Sequence, residues 1–181
     1  MLYETERLIL REWHTTDLEP FAQMGQDPQV MEFFPNLLSH EESATLITRI
    51  QDKFTQHGFC FFATELKATS EFIGFIGLSV PSFDAHFTPC VEIGWRLASQ
   101  YQGFGYATEG ARKCLEIGFN KFKLQEIISM AVKDNWNSRK VMQKIGMQQD
   151  LNGNFKHPNL DINHPLAEHV LYRIQNPKRS I

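Results

Sequence analysis

Two glycines ahead of a helical run offer the first chemistry in this chain. Gln102-Gly103-Phe104-Gly105-Tyr106-Ala107 stands between a strand-like segment and a strongly periodic helical one. Glycine leaves the backbone uncovered, so a ligand can approach main-chain amides closely. The first amides of a helix lack intrahelical acceptors and carry the positive end of its dipole. Such a turn suits a phosphate or a diphosphate, although glycines in strand-to-helix turns also serve structure alone. Two phosphate motifs fail on the letters. G-x-G-x-x-G would need a third glycine where Thr108 stands, and the loop follows a hairpin instead of opening a parallel unit. G-x-x-x-x-G-K-[ST] occurs nowhere.

Glu92 is the second chemical candidate. Residues 90–97 read as a strand, whose period of two places Val91, Ile93, Trp95 and Leu97 on one face. That face is wholly apolar and is predicted to be core. Cys90, Glu92, Gly94 and Arg96 occupy the other face, so Glu92 points away from the core just before the glycine loop. A half-buried carboxylate on a strand is a common site of perturbed pKa, and an ion pair with Arg96 or another cation is the plainer role. His157, His164 and His169 are separated by prolines at spacings that put no two on one helix face, so no metal site is expected.

The elements that would position these groups follow from capping and periodicity. Residues 7–12 alternate loosely and form a first strand. Thr15, Thr16 and Asp17 offer N-caps to a short helix carrying Leu18, Phe21, Ala22 and Met24, which Asp27-Pro28 ends. Ser39-x-x-Glu42 has capping-box form and opens a second helix with Ala44, Ile47, Ile50 and Phe54 on one stripe. Residues 59–66 and 72–80 are aromatic and β-branched around a polar turn, which predicts a β-hairpin with Phe59, Phe61, Phe62, Phe72 and Phe75 in its core. After strand 90–97 and the glycine loop, Ala107, Ala111, Cys114, Leu115, Gly118, Phe119 and Phe122 share a helical face. A strand over 127–132, a helix over 135–145 stopped by Gly146, a polar loop and a strand over 170–174 complete the chain. The order β-α-α-β-β-β-α-β-α-β describes an α/β domain with a mixed sheet.

The 181 residues fit a single domain, 1–181, with enough chain to bury a sizeable core. Eighteen basic against 21 acidic side chains give a net charge of −3, so no broad basic field is present to attract nucleic acid. No apolar run approaches the ~18 residues of a membrane span, and charges occupy the place of a signal peptide's apolar stretch. Cys60, Cys90 and Cys114 are odd in number and far apart, as expected of core thiols in a reducing compartment. Cytoplasmic is the expected location, and monomer and homodimer both stay open.

Gln102-x-x-Gly105-x-Ala107 resembles the diphosphate loop Q/R-x-x-G-x-G/A of the GNAT superfamily of acyl-coenzyme A N-acyltransferases. More closely, the chain is similar to the branch containing the bacterial ribosomal-protein N-terminal alanine acetyltransferases. Thr5-Glu6-Arg7-Leu8-Ile9-Leu10-Arg11 resembles that branch's opening strand, and Val91-Glu92-Ile93-Gly94-Trp95 the strand before the loop. Asn135-x-x-Ser138 with Lys144-Ile145-Gly146-Met147 resembles its second cofactor motif, and Glu168-His169-Val170-Leu171-Tyr172 its closing strand. The resemblance spans nearly the whole chain in order. It implies a mixed, mostly antiparallel sheet of about six to seven strands flanked by about four helices.

It also implies acetyl-coenzyme A as acyl donor, a primary amine as acceptor, and no metal. Glu92 would accept the amine's proton, directly or through water, since free amines have pKa values of about 8 to 10.4. Main-chain groups of Trp95, Arg96 and Leu97 would pair with the pantetheine where this strand splays from the next. Gln102, Gly103, Phe104, Gly105, Tyr106, Ala107 and Thr108 would hold the diphosphate. Asn135 would anchor the pantetheine, and Ser138 would donate to the leaving thiolate. Many relatives place a tyrosine where Met142 stands, so Tyr101, Tyr106 and solvent remain alternatives to Ser138. Arg112, Arg139 and Lys140 lie near the cofactor motifs as candidates for the 3′-phosphate. Phe33-Phe34 falls in a segment that walls the acceptor cleft, as substrate contact or as core. The acceptor itself, a protein N-terminus or a small molecule such as a polyamine, aminoglycoside or amino acid, is not legible. A coenzyme-binding sensor without catalysis is the alternative of another class.

Overall fold

The computed structural model describes residues 2–178; Met1 and residues 179–181, the two ends of the expected 1–181 domain, lie outside the described residues. The chain runs β1 (Leu2–Glu4), β2 (Leu8–Arg11), a 3-10 turn (Thr15–Asp17), α1 (Leu18–Gln26) and α2 (His40–His57). It continues through β3 (Phe61–Leu66), β4 (Phe72–Ser79), β5 (Glu92–Leu97), α3 (Tyr106–Asn120), β6 (Glu126–Val132), α4 (Trp136–Lys144), β7 (Gln148–Lys156) and β8 (Glu168–Gln175). Among the described residues eight strands form one sheet in the order β1-β2-β3-β4-β5-β6-β8-β7. Its ladders are antiparallel except between β5 and β6, which run parallel. This is the expected mixed, mostly antiparallel sheet with four helices, and it holds one or two strands more than expected.

The helices start where their caps predict. Ser39 Oγ accepts the Glu42 amide at 3.1 Å while Glu42 Oε2 accepts the Ser39 amide at 2.7 Å, so two otherwise orphan donors of α2 are satisfied reciprocally. Ile47 and Ile50 of α2 are buried. Asp17, next to α1, accepts both Arg11 Nη1 and Nη2, at 2.7 and 2.9 Å, which ties the helix start to β2. α3 buries Ala111, Cys114, Leu115 and Phe119 and packs on β4 and β5. Fully burying a side chain of leucine size stabilises by about 1.5–3 kcal/mol, so this stripe anchors the helix that follows the glycine loop.

Two segments depart from expectation. Leu2–Glu4 forms β1, paired antiparallel with β2 in the register Tyr3↔Leu10. The polar loop expected after Gly146 is instead β7, antiparallel to β8, with a register shift between Asp150 and Phe155. Its composition is poor for a strand, and cross-strand contacts override that preference. Arg173 of β8 donates to Asp150 of β7 at 2.8 Å and to Glu126 of β6 at 2.7 Å, bridging three strands.

Candidate active site

The parallel ladder between β5 and β6 consists of one registered pair, Glu92↔Ile128. At that point the Val91 carbonyl accepts the Ile128 amide at 2.9 Å, and the Ile93 carbonyl accepts the Ser129 hydroxyl at 2.9 Å. By the period of two, the Trp95 N–H and C=O lie on the same strand edge, past the last pairing. The strands part there and open a cleft of about 580 Å³. Trp95, Arg96 and Leu97 line one wall, with Ser129, Met130, Ala131 and Val132 opposite.

One end of the cleft is the glycine turn. Gly103 and Gly105 hold φ of +84° and +85°, a conformation that other residues rarely adopt. Conformation, and not room, is the requirement: a Cβ on Gly103 would meet nothing within 4 Å. The amides of residues 103–108 find no acceptor among the described residues, and the Glu109 amide is the first that does, on the Gly105 carbonyl at 3.0 Å. Arg7 braces this turn from outside. Its Nη1 donates to the Phe104 carbonyl at 3.1 Å, its Nε to Glu109 at 2.7 Å, and its guanidinium stacks 4.6 Å from the Tyr106 ring centre. Beside the turn, Asn135 caps α4 by accepting the Ser138 amide at 3.1 Å. The Asn135 side-chain amide and the Ser138 hydroxyl have no protein partner among the described residues, and both residues line the cleft.

The other end is built from side chains. Glu92 stands where the ladder stops and its side chain makes no ion pair or hydrogen bond among the described residues, so the ion pair with Arg96 or another cation, weighed as its plainer role, does not form there. Burial pushes its carboxyl up to about 7, weakly opposed by Lys53. Arg96, on the same strand face, lies over the Phe34 ring at 4.0 Å and near Phe75 at 5.4 Å. Its Nε and Nη1 are buried without a partner, and burial lowers its pKa to about 10. Phe61 stacks on Phe75 with centroids 5.0 Å apart. His157 and His169 meet at 5.2 Å, and burial pushes both pKa values down, in His157 with help from His169.

Of the residues singled out in the sequence, Glu92, Trp95, Arg96, Leu97, Gln102, Gly103, Gly105, Tyr106, Ala107, Thr108, Asn135 and Ser138 all line this one cleft. Phe104 does not: its ring is 62% exposed and stacks on Tyr106. The Gln102 side chain is engaged within the protein, donating to the Leu97 carbonyl at 3.0 Å. Trp95 is only half-buried, whereas Ile93 and Leu97 enter the core as predicted. Met142, at the position where a tyrosine was looked for, is buried in the cleft wall. Arg112 donates to the Lys144 carbonyl and Arg139 to the Lys133 carbonyl, which leaves Lys140 as the cleft-lining cation of the three candidates. Phe61 and Phe75, expected as hairpin core, belong partly to the cleft, as do Phe33 and Phe34. The bracing of the turn by Arg7 and the His157–His169 contact were not foreseen in the sequence, since the partners lie apart along the chain. Among the described residues no group of three or more His, Cys, Asp or Glu is placed to hold a metal ion.

Comparison with known proteins agrees with this geometry. A family model described as an acetyltransferase (GNAT) domain matches residues 7–148. YnaD of Bacillus subtilis (strain 168), an uncharacterized N-acetyltransferase, is 31% identical over 147 residues, 81% of this chain and 82% of that protein. Among solved structures, a GNAT-family acetyltransferase from Bacillus anthracis superposes with a TM-score of 0.78 at 26% identity, over 97% of this chain and 99% of that one. RimL, a ribosomal L7/L12 α-N-protein acetyltransferase solved in complex with coenzyme A, has a TM-score of 0.76 at 15% identity, over 97% and 98% of the two chains, which is a likeness of fold.

Proposed function

The chain belongs to the acetyltransferase (GNAT) family and is an acyltransferase enzyme; from that premise we propose that it moves an acetyl group from acetyl-coenzyme A to a primary amine by direct attack, as a single domain in the cytoplasm. The observation that carries this reading is the run of acceptor-free amides at 103–108 opening onto the gap between β5 and β6, with Glu92 at the head of that gap. Helix-start amides offer a diphosphate both donors and positive potential without a cationic side chain. The partner-less edge at Trp95 offers main-chain groups to a pantetheine arm, and the Asn135 side-chain amide lies beside it. That RimL, a protein of like fold, was solved with coenzyme A supports coenzyme A as the ligand here.

The chemistry divides among few groups. The amine nitrogen attacks the thioester carbon, the C–N bond forms and the C–S bond breaks. Glu92, its carboxyl pushed up to about 7 by burial, takes the amine's proton directly or through water. A main-chain amide around Trp95 stabilises the carbonyl oxygen. The Ser138 hydroxyl donates to the leaving sulfur. Holding both reactants in one cleft supplies the remainder of the acceleration.

Incubating protein, acetyl-coenzyme A and a panel of amines with a free-thiol reagent tests this. Thiol release that requires the amine supports transfer. Tight coenzyme binding with no release from any amine supports the sensor reading instead.

A further inference from the structure

Arg96 has no role in the transfer chemistry above, and its surroundings are unusual for a charged group. It lines the aromatic end of the cleft on the same β5 face as Glu92. Among the described residues no carboxylate lies within ion-pair distance of it, and neither Nε nor Nη1 has a hydrogen-bond partner although both are buried. The rings of Phe34 and Phe75 contribute cation–π attraction but no acceptor. A buried charge without a counterion is costly, and proteins retain one chiefly where something else supplies the opposite charge. Glu32, also in the cleft lining, is exposed and makes no ion pair with Arg96. Nη2 is not among the buried atoms, so the guanidinium is open on that side.

Resting on the acetyl-transfer reading, we infer that the amine acceptor carries a carboxylate, which Arg96 receives at the aromatic end of the cleft. A guanidinium fork matches a carboxylate in plane and in hydrogen-bond geometry, and the aromatic rings around it exclude water. Glu92 and Arg96 are four residues apart on one strand, about 13 Å between Cα atoms at ~3.3 Å per residue. That backbone spacing favours an acceptor whose amine and carboxylate lie several bonds apart, as in an ω-amino acid or a short peptide with an acidic side chain.

Matched acceptor pairs test this: ω-amino carboxylates of rising length against their amides, and the C-terminally amidated dipeptide Ala-Asp-NH2 against Ala-Asn-NH2. Binding to protein loaded with coenzyme A is measured by calorimetry, where no transfer is possible, and turnover is measured separately with acetyl-coenzyme A. The carboxylate member is expected to bind at least about tenfold more tightly than its amide, with the difference in kcat/KM residing in KM, since a desolvated charge pair discriminates by that much or more. Arg96→Met should bring each pair within about threefold while coenzyme A affinity holds, and Arg96→Lys should keep part of the preference. Whichever carboxylate series wins identifies the source as small molecule or peptide. Equal binding within every pair, or a preference that survives Arg96→Met, overturns the inference. A binding preference without turnover would leave it standing and sink the transfer reading instead.

Discussion

At the loop end of the cleft the binding groups are main-chain amides, whereas at the aromatic end they are side chains arriving from separated parts of the chain. The amides of residues 103–108 come from one turn, set by two left-handed glycines and braced by Arg7. The aromatic end assembles Phe34 from the α1–α2 connection, Phe61 and Phe75 from the hairpin, Glu92 and Arg96 from β5, and His157 and His169 from the β7–β8 end. A ligand common to a whole family can be gripped by backbone, which any suitable turn supplies. A ligand particular to one protein has to be read by side chains, and these can change without disturbing the turn. The division also sorts the electrostatics: the loop end holds positive potential in dipoles, while the aromatic end holds a carboxyl pushed up to about 7 and a guanidinium lowered to about 10.

Substitutions at each end should therefore fail in different ways. Glu92→Gln is expected to have the largest effect, lowering turnover by about 10² while coenzyme affinity stays within about twofold, as for loss of a general base. With an acceptor of low amine pKa, wild-type kcat/KM should rise as pH passes about 7, and the variant should lack that rise. The same substitution has a stability signature. A carboxyl whose folded pKa lies above its unfolded value binds more protons in the folded state between the two, so stability declines as pH rises from about 4.5 through 7. Thermal unfolding at pH 8 should show Glu92→Gln more stable than wild type, by on the order of 2 kcal/mol, with the gain vanishing near pH 4.

Gly105→Glu attacks the other end. It places a side chain at φ +85° and a negative charge beside the bare amides, so coenzyme affinity measured by calorimetry should fall at least about thirtyfold. Retained affinity would mean that the turn does not hold the diphosphate, and the contrast between the two ends would collapse. Ser138→Ala should lower turnover by roughly tenfold without changing coenzyme affinity, less than the ~10²–10⁴-fold typical of a full proton donor because solvent can replace the hydroxyl. If affinity falls in step with turnover, Ser138 belongs to the binding end and not to the chemistry. Arg7→Ala is the mildest test. Its partly exposed pairing with Glu109 is worth less than about 1 kcal/mol, so coenzyme affinity should drop about threefold.

What was legible in the sequence follows the same division. The Ser39–Glu42 capping box, the 59–66 and 72–80 hairpin and the glycine turn are local signals, and each element formed close to its expected place. The alternation of β5 put Glu92 on the correct face, since pleating alone decides it. β7 was not legible, because its Asn, Asp and Gly read as turn residues and only pairing with β8 makes them a strand. β1 is three residues long, too short to show a period. Gln102 was read as facing the coenzyme, yet its side chain reaches the Leu97 carbonyl, a contact that depends on how tightly the 3-10 turn at Ser99–Tyr101 folds back. The stacking of Phe34 on Arg96 joins residues 62 positions apart in the sequence, and no window-based pattern could announce it.

The central claim is that main-chain amides at one turn aim a thioester toward a carboxyl on the preceding strand. A crystal structure with acetyl-coenzyme A bound tests it directly. The account predicts diphosphate oxygens within about 3 Å of amides in the 103–108 turn, the pantetheine between β5 and β6 beside Trp95, and the acetyl carbon facing the Glu92 side of the cleft. A coenzyme held elsewhere, or a diphosphate carried by side chains with those amides left bare, would contradict it.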